Sequence, residues 1–419
     1  MRDWLATFGG GEQFDCSPLP TLVTRAVVGR NNIRVTTNNG VAVSDASEQP
    51  TVDPAIDAAA KKLVPGAPPL TPVGDRPFLI RTTVDGRDLR LRRWPDGTVP
   101  ERVRFVNRLQ AALAGADPAF CAAPYSDGPA GQPSVQIGGA MVDAQAWLPG
   151  HPSAERSIVQ EPNEHTLHRP AELSPERLTA LVQRVALMHD RTEPFTRERA
   201  TPVATVTQLL RAIGQSWRLA RVSLRPVAPQ YPPIQRWLRL GEQILPAAEH
   251  AIIEANVSDQ RPVIGHLSLW PAHALFDRAV MTGLIDFGAA VMTTPLLDVA
   301  QLAGRFPGWT GDHAELVVGH YTDVRQLSPD ERRALPSLAA MDMVIEAARL
   351  LRVGYVMDLP PGSKTALAAR AGAQDLLSSI DAVAVSAVRS VLQPTAKRRP
   401  ARRPGRPSGH GDRPRKPRS

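Results

Sequence analysis

The sequence predicts an α+β fold, with a small antiparallel β-rich region ahead of a larger helical one. Three observations predict it. Residues 78–147 alternate apolar and polar positions in two hairpins, with one amphipathic stretch between them. Residues 174–255 and 328–392 carry apolar stripes at helical spacing. Between these helical blocks, residues 263–298 break into short apolar runs joined by a loop and a turn that hold His, Ser and Asp.

Residues 1–75 show the weakest pattern. Leu22–Val28 and Ile33–Thr37 are candidate strands, and Gly40–Pro77, rich in Pro, Ala and Asp without a period, reads as linker or irregular wrap. Gly9-Gly10-Gly11 has no Lys-Ser/Thr after it and no strand before it, which argues against a phosphate loop. From Phe78 the pattern sharpens. Phe78, Ile80, Thr82 and Val84 alternate, Asp85-Gly86 supplies a two-residue turn, and Leu89 and Leu91 alternate on the return. Arg90 and Arg92 share the opposite face. Pro100 opens an amphipathic helix with Val103, Val106, Leu109, Ala112 and Leu113 on one side; its only early acid, Glu101, suits the helix dipole. Val135–Ile137, Gly138-Gly139 and Ala140–Trp147 form the second hairpin, closed by Leu148-Pro149-Gly150.

Ser174-Pro175 caps the next helix, whose buried stripe runs from Leu178 to Met188 and ends at His189, a residue expected to be packed and hydrogen-bonded. Val203–Ala220 and Ile234–Ala255 are further helices, with Trp217, Trp237 and Leu238 as core. Ser328-Pro329-Asp330-Glu331 is a capping box for a helix that continues past Pro336 to Val356. Ala366–Leu392 is a last, alanine-rich helix. The organisation expected is a poorly defined segment at 1–75, a small β-rich unit at 76–150, a helical unit at 151–392 containing the loop 263–288, and a tail at 393–419.

Composition narrows the function classes. At 419 residues the chain can bury a large core. Two cysteines, Cys16 and Cys121, exclude a disulfide framework and a cysteine zinc site, and suit a reducing cytoplasm. The N-terminus lacks the apolar core of a signal peptide, and no run approaches the roughly 18 apolar residues of a membrane span. The net charge of +8 sits in the tail, where residues 397–418 hold ten Lys and Arg against Asp412 alone. That tail is expected to be disordered. It serves either as a solubilising segment or as a salt-sensitive polyanion contact, without aromatic residues for base stacking.

The stretch 263–288 carries the chemistry. Val263-Ile264 enters a loop with His266, Ser268 and His273, Ala274–Phe276 leaves it, Asp277-Arg278 turns, and Val280–Ile285 ends in Asp286-Phe287-Gly288. A carboxylate at a strand end is a hard ligand for a divalent cation. Imidazole suits softer metals such as Mn²⁺.

His266, Leu275, Phe276, Gly283-Leu284-Ile285-Asp286-Phe287, Asp298 and Ala300, with the loop spacing, resemble the aminoglycoside phosphotransferase/choline kinase-like family. Leu91-Arg92-Arg93-Trp94-Pro95 and Trp147-Leu148-Pro149-Gly150 resemble its small-lobe and hinge motifs. The resemblance implies a two-lobed, protein-kinase-like fold and ATP-dependent phosphorylation of a small-molecule hydroxyl, with Mg²⁺ or Mn²⁺. It implies nucleotide contacts at Arg92 or Arg90 and at Ala146 before the hinge, metal ligation by Asp286 and His273, and a structural role for Asp298. Ser268 stands where the family has its catalytic Asp, and His273 where it has Asn. A hydroxyl is a poor proton acceptor near neutral pH. His266 is then either a loop anchor or a substitute base, and the chain either a weakened phosphotransferase or a pseudokinase that binds nucleotide or a partner without turnover.

Overall fold

The first helix stands where the sequence pattern suggested only a linker. The structure, a computed structural model, describes residues 52–392 except 67–68, 74–75, 153–158, 161–165, 168–172, 256, 258–260, 307–310, 358 and 360–362. The expected strands at Leu22–Val28 and Ile33–Thr37, the Gly9–Gly11 run, Cys16 and the basic tail lie outside the described residues. Helix α1 (Pro54–Leu63) begins at Asp53, whose carboxylate accepts the Ala55 N–H, with Pro54 at the first helical position. Ile56, Ala59, Ala60 and Leu63 form its buried side. The helix is short and its stripe half alanine, so tertiary burial rather than its own pattern holds it.

α1 covers one face of a five-stranded antiparallel sheet. The strands are β1 (Thr71–Val73), β2 (Arg76–Val84), β3 (Arg87–Arg93), β4 (Ser134–Ile137) and β5 (Ala140–Ala146), in the order β1-β2-β3-β5-β4. Both expected hairpins form. Asp85 and Gly86 each take positive φ, 48° and 75°, as the two-residue turn between β2 and β3 requires. Leu89 and Leu91 of β3 and Val142 and Ala144 of β5 meet α1 in a small separate core. Between β3 and β4 lies helix α2 (Pro100–Ala116), whose Val103, Phe105, Val106 and Leu109 belong to the main core of the helical part.

The hinge leads into the large lobe through β6 (His151–Pro152), which pairs with the hairpin β10–β11 described below. A two-residue pair, β7 (Val159–Gln160) with β8 (Thr166–Leu167), follows. Helix α3 (Pro175–Arg191) is capped by Ser174 as expected. Helix α4 (Val206–Leu224) begins with a full Thr205/Gln208 capping box, and α5 is Pro232–Glu254. The motif strands are β9 (Val263–Gly265), β10 (Ala274–Asp277), β11 (Val280–Leu284) and β12 (Val291–Thr293), with β9 paired to β12. Two helices that the sequence reading passed over, α6 (Leu296–Arg305) and α7 (Gly311–Thr322), precede α8 (Pro329–Tyr355) and α9 (Lys364–Leu392). α6 escaped notice because all ten of its residues are buried, so it shows no polar face. α8 is the hub, packing against α4, α5, α6 and α9. Trp237 lies fully buried on α5, its indole N–H donating to the Val344 carbonyl of α8 at 2.8 Å, with Trp217 against its ring. Among the described residues, no helix is long and apolar enough to cross a membrane.

Candidate functional site

Strand β9 ends at Gly265 and releases the loop His266–His273, which α6 grips by its backbone. Asp298, Gln301 and Arg305 are three, four and seven residues apart, so they share one face of that helix. Asp298 accepts the N–H groups of His266 (2.6 Å) and Leu267 (2.8 Å). Gln301 accepts from Leu269 N–H at 2.9 Å and donates to the Leu267 carbonyl at 3.3 Å. Arg305 donates to the Leu269 carbonyl and lies over the Trp270 ring at 4.3 Å, while Asp342 and Glu346 of α8 hold its charge. Behind them His189 Nε2 donates to Asp298 at 3.0 Å, and its Nδ1 accepts from the Tyr321 hydroxyl at 2.7 Å. Burial alone would push the Asp298 carboxyl up. The His189 hydrogen bond, the nearby imidazoles and the His266 N–H outweigh it and hold the group below the usual carboxylate range.

Within this loop His266 is fully buried, and both ring nitrogens are committed. Nδ1 accepts the Ser268 N–H (3.3 Å) and Nε2 donates to the Ile285 carbonyl (3.1 Å), with the ring edge-on to Phe287. These contacts tie the ring to the loop backbone and to the residue before Asp286. Leu267 sits at φ +55°, a conformation a leucine adopts only under constraint, and Asp298 supplies the constraint. Ser268 is half-buried at the loop's centre. The His273 Nδ1–H donates to the Ser268 carbonyl at 2.6 Å and lies 3.5 Å from the Ser268 hydroxyl. Its Nε2 faces Asp286 Oδ2 at 3.6 Å.

Asp286 follows β11 in the left-handed region, φ +70°. That backbone turn buries Phe287 and points the largely buried carboxylate at the small lobe. There Arg92 Nη1 lies 3.5 Å from Oδ1, and Arg92 Nη2 donates to Asp143 Oδ2 at 3.1 Å. Asp143 is fully buried, and the Arg92 side chain is 14% exposed and stacks over Trp94. The pairing follows from sheet register: Arg92 is directly opposite Asp143 and Arg90 opposite Gln145. Arg90 donates to Gln145, whose amide donates to Gln110 of α2 at 2.8 Å. Burial, reinforced by the charge of Arg92, lowers the Arg90 guanidinium to about 10.

Several buried polar atoms in this patch have no hydrogen-bond partner among the described residues: both amide atoms of Asn107, Asp143 Oδ1, and Nε of Arg90 and Arg92. Orphaned polar atoms at a cleft are filled by water or a ligand.

The structure therefore brings Arg92 and His273 to Asp286 and Ser268 to His273, places Arg90 deeper in the sheet, and sets Asp298 and His266 behind the loop. Ala146 ends β5 with its N–H donating to the Ala123 carbonyl. Glu101 is exposed and pairs only with Arg104 among the described residues. Cys121 is buried, and desolvation pushes its thiol up to about 12, as an inert core thiol requires. Asp143, Gln145, Gln110 and Arg102 were missed as candidates. A signal existed for two of them: Asp143 and Gln145 share one face of an otherwise apolar strand, with the parity that meets Arg90 and Arg92. No described group of three or more His, Cys, Asp or Glu forms a metal cage. Asp286 and His273 fit instead a cation that completes its shell with ligand oxygens.

Solved structures share this fold. The aminoglycoside phosphotransferase from Alicyclobacillus acidocaldarius subsp. acidocaldarius DSM 446 is similar over 81% of this chain and 95% of its own, at 17% identity and a TM-score of 0.52. The microcompartment-associated aminopropanol kinase is similar over 80% and 98%, at 16% identity and a TM-score of 0.57. The amicoumacin kinase hAmiN, in complex with AMP-PNP, Ca²⁺ and Ami, covers 77% and 91%, at 12% identity and a TM-score of 0.51. At these identities the likeness shows the fold. No curated protein sequence matches the chain. The profile of the phosphotransferase enzyme family matches residues 73–336, well over half of the sequence, and the chain belongs to that family.

Proposed function

We propose that the protein transfers the γ-phosphoryl group of a nucleoside triphosphate to a hydroxyl of a small molecule, at a rate limited by Ser268. The observation that carries this reading is the convergence of Arg92 and His273 on Asp286, with Ser268 beside His273. Arg92, held by Asp143, contacts the nucleotide phosphates. Asp286 and His273 hold a divalent cation, which when bound neutralises charge between the β- and γ-phosphates. The Ser268 hydroxyl orients the acceptor. The acceptor oxygen bonds to the γ-phosphorus as the bond to the β,γ-bridging oxygen breaks, the electron pair leaving with the nucleoside diphosphate. With no carboxylate on the loop, the acceptor proton passes to the transferred phosphoryl oxygens. Positioning supplies most of the catalysis in such a loose transition state.

A second reading, a pseudokinase that binds nucleotide without turnover, is favoured by one observation: neither nitrogen of His266 is left to serve as a base. Calorimetric titration with ATP and Mg²⁺ or Mn²⁺, followed by a screen of hydroxylated acceptors with labelled ATP, separates the two. Binding with transfer supports the enzyme. Binding without transfer to any acceptor supports the pseudokinase. Absence of binding removes both.

A further inference from the structure

From Arg199 to Gly241 the chain carries seven arginines and no acidic residue. Two of the seven are matched inside the fold: Arg221 pairs with Glu242 at 2.8 Å, and Arg236 pairs with Asp381. Arg211, Arg218, Arg225 and Arg239 are exposed and form no ion pair with a described residue. Three of these four share one line. Arg211, Arg218 and Arg225 stand seven residues apart on α4 and its C-cap, which makes a row with steps of about 10.5 Å. Beside the row lie Leu219, 65% exposed, and Val222, which at 75% is the most exposed large apolar side chain among the described residues. The helix packs through Leu209, Ala212 and Leu224, so the core makes no use of this outer face. The row ends at a groove of about 400 Å³ whose lining includes Arg225, Leu238 and Arg239, with Glu242 already committed to Arg221.

Unbalanced charge of one sign repels itself and costs stability, and surfaces ordinarily intersperse the two signs. Arginines gathered around exposed apolar side chains mark contact surfaces. We propose that this face of α4, with the groove at its end, docks an acidic helical segment of another protein. Seven residues is the repeat at which a partner helix returns its side chains to the same side, so carboxylates at that spacing meet the row one for one. An apolar side chain between them covers Val222 and Leu219. Two other polyanions match less of the surface. Single-stranded nucleic acids stack their bases on aromatic rings, and the row carries none. A lipid surface is flat and leaves the groove unfilled. No residue of the nucleotide–cation site takes part, and the contact does not depend on turnover.

The test pans a phage-displayed library of random peptides against the full chain, each about 16 residues long and so able to span two seven-residue steps. The charge-reversed variant Arg211→Glu/Arg218→Glu/Arg225→Glu is the counter-target. Peptides rich in Asp and Glu with apolar residues between them should be enriched. A synthetic copy of an enriched peptide should gain helical circular dichroism on binding and lose affinity as salt rises. An exposed ion pair is worth up to about fivefold, so the reversed variant should bind it about a hundredfold more weakly. Arg211→Gln/Arg218→Gln/Arg225→Gln removes the charge without adding any and should lose about tenfold, which keeps the test standing if the reversed chain folds poorly. Enrichment without acidic residues, or acidic peptides that bind the reversed and neutral variants as well as wild type, overturns the proposal. Flotation with phosphatidylcholine–phosphatidylglycerol vesicles and anisotropy of a labelled oligodeoxythymidine are the competing arms. Arginine-dependent binding to either, without peptide enrichment, assigns the face to lipid or nucleic acid and overturns the protein partner.

Discussion

Arg102 donates from Nη2 to the carbonyl oxygen of Gly288 at 2.8 Å, and from Nη1 to that of Ala290 at 2.5 Å. One guanidinium thus fastens α2 to the turn that follows Asp286. Its burial lowers the guanidinium to about 10, a cost borne for a fixed connection between α2 and the turn that follows Asp286. Arg102→Ala leaves both carbonyls without their donor. A hydrogen bond to a charged group is worth about 1.5–3 kcal/mol, so a loss on that order is expected in denaturant unfolding. Arg102→Lys keeps the charge but not the fork and should recover less than half of it. An alanine variant as stable as wild type would show that the clamp holds nothing.

The second prediction concerns the carboxylate under Arg92. Helix α2 brings Gln110 and Asn107 to the sheet but no acid, and Asp143 on β5 is the buried counter-charge instead. Asp143→Asn keeps the shape and removes the charge, drawing Arg92 onto Asp286. Nucleotide affinity should fall on the order of tenfold or more, the lower part of the range for losing one partner of a buried charged pair. Arg92→Ala should lose at least as much, and the double variant little beyond that. Additive losses in calorimetry would mean that the two residues act separately.

Ser268→Asp tests the loop itself. A general base contributes about 10²–10⁴ in rate, and His266 and Asp298 already hold the surrounding backbone in place. Nucleotide hydrolysis or transfer should rise by at least tenfold, while nucleotide affinity changes little. Unchanged turnover in a variant that still binds ATP would favour the pseudokinase.

Legibility in the sequence tracked how local the determinant was. The hairpin at Asp85-Gly86, the caps at Ser174 and Ser328 and the packed, hydrogen-bonded state of His189 follow from residue type and spacing over a few positions, and each stands in the structure as read. α6 was invisible because burial on every side erases the helical period. α1 was invisible because its stripe gains meaning only against Leu89, Leu91 and Val142. The pairing of Arg92 with Asp143 depends on which residues the β3–β5 register sets opposite each other, across 51 residues of sequence. The Arg102 clamp spans 186 and has no local signature.

Acid should loosen the loop before it unfolds the lobe. Asp298 has a folded-state carboxyl below its ordinary value, near 3.9 in an unfolded chain. Its stabilising effect is therefore complete above about pH 4 and is lost as pH falls through the lower folded value. Hydrogen exchange at the His266 and Leu267 amides should speed up in that window. Asp298→Asn removes the charge at every pH, so its exchange at these amides should be fast already at pH 7 and show no further step on acidification. A wild-type profile flat down to pH 3 would contradict the depressed carboxyl.

Gly150 closes the hinge at φ +97°, where a Cβ would stand 2.5 Å from Thr282 Oγ1 and 2.9 Å from the Phe276 carbonyl. Thr282 cannot simply turn aside, because its hydroxyl donates to the Pro149 carbonyl at 2.6 Å. Phe276 cannot shift either, since it pairs with His151 in the sheet whose strand β10 follows the loop 266–273. Gly150→Ala therefore meets both an unfavourable φ, costing about 1–3 kcal/mol, and a clash with backbone. A fall of at least that size in unfolding free energy is expected. Adding Thr282→Ala should return only part of it, because the Phe276 oxygen remains. Full recovery in the double variant would assign the glycine to the threonine contact alone and free the hinge backbone from any constraint.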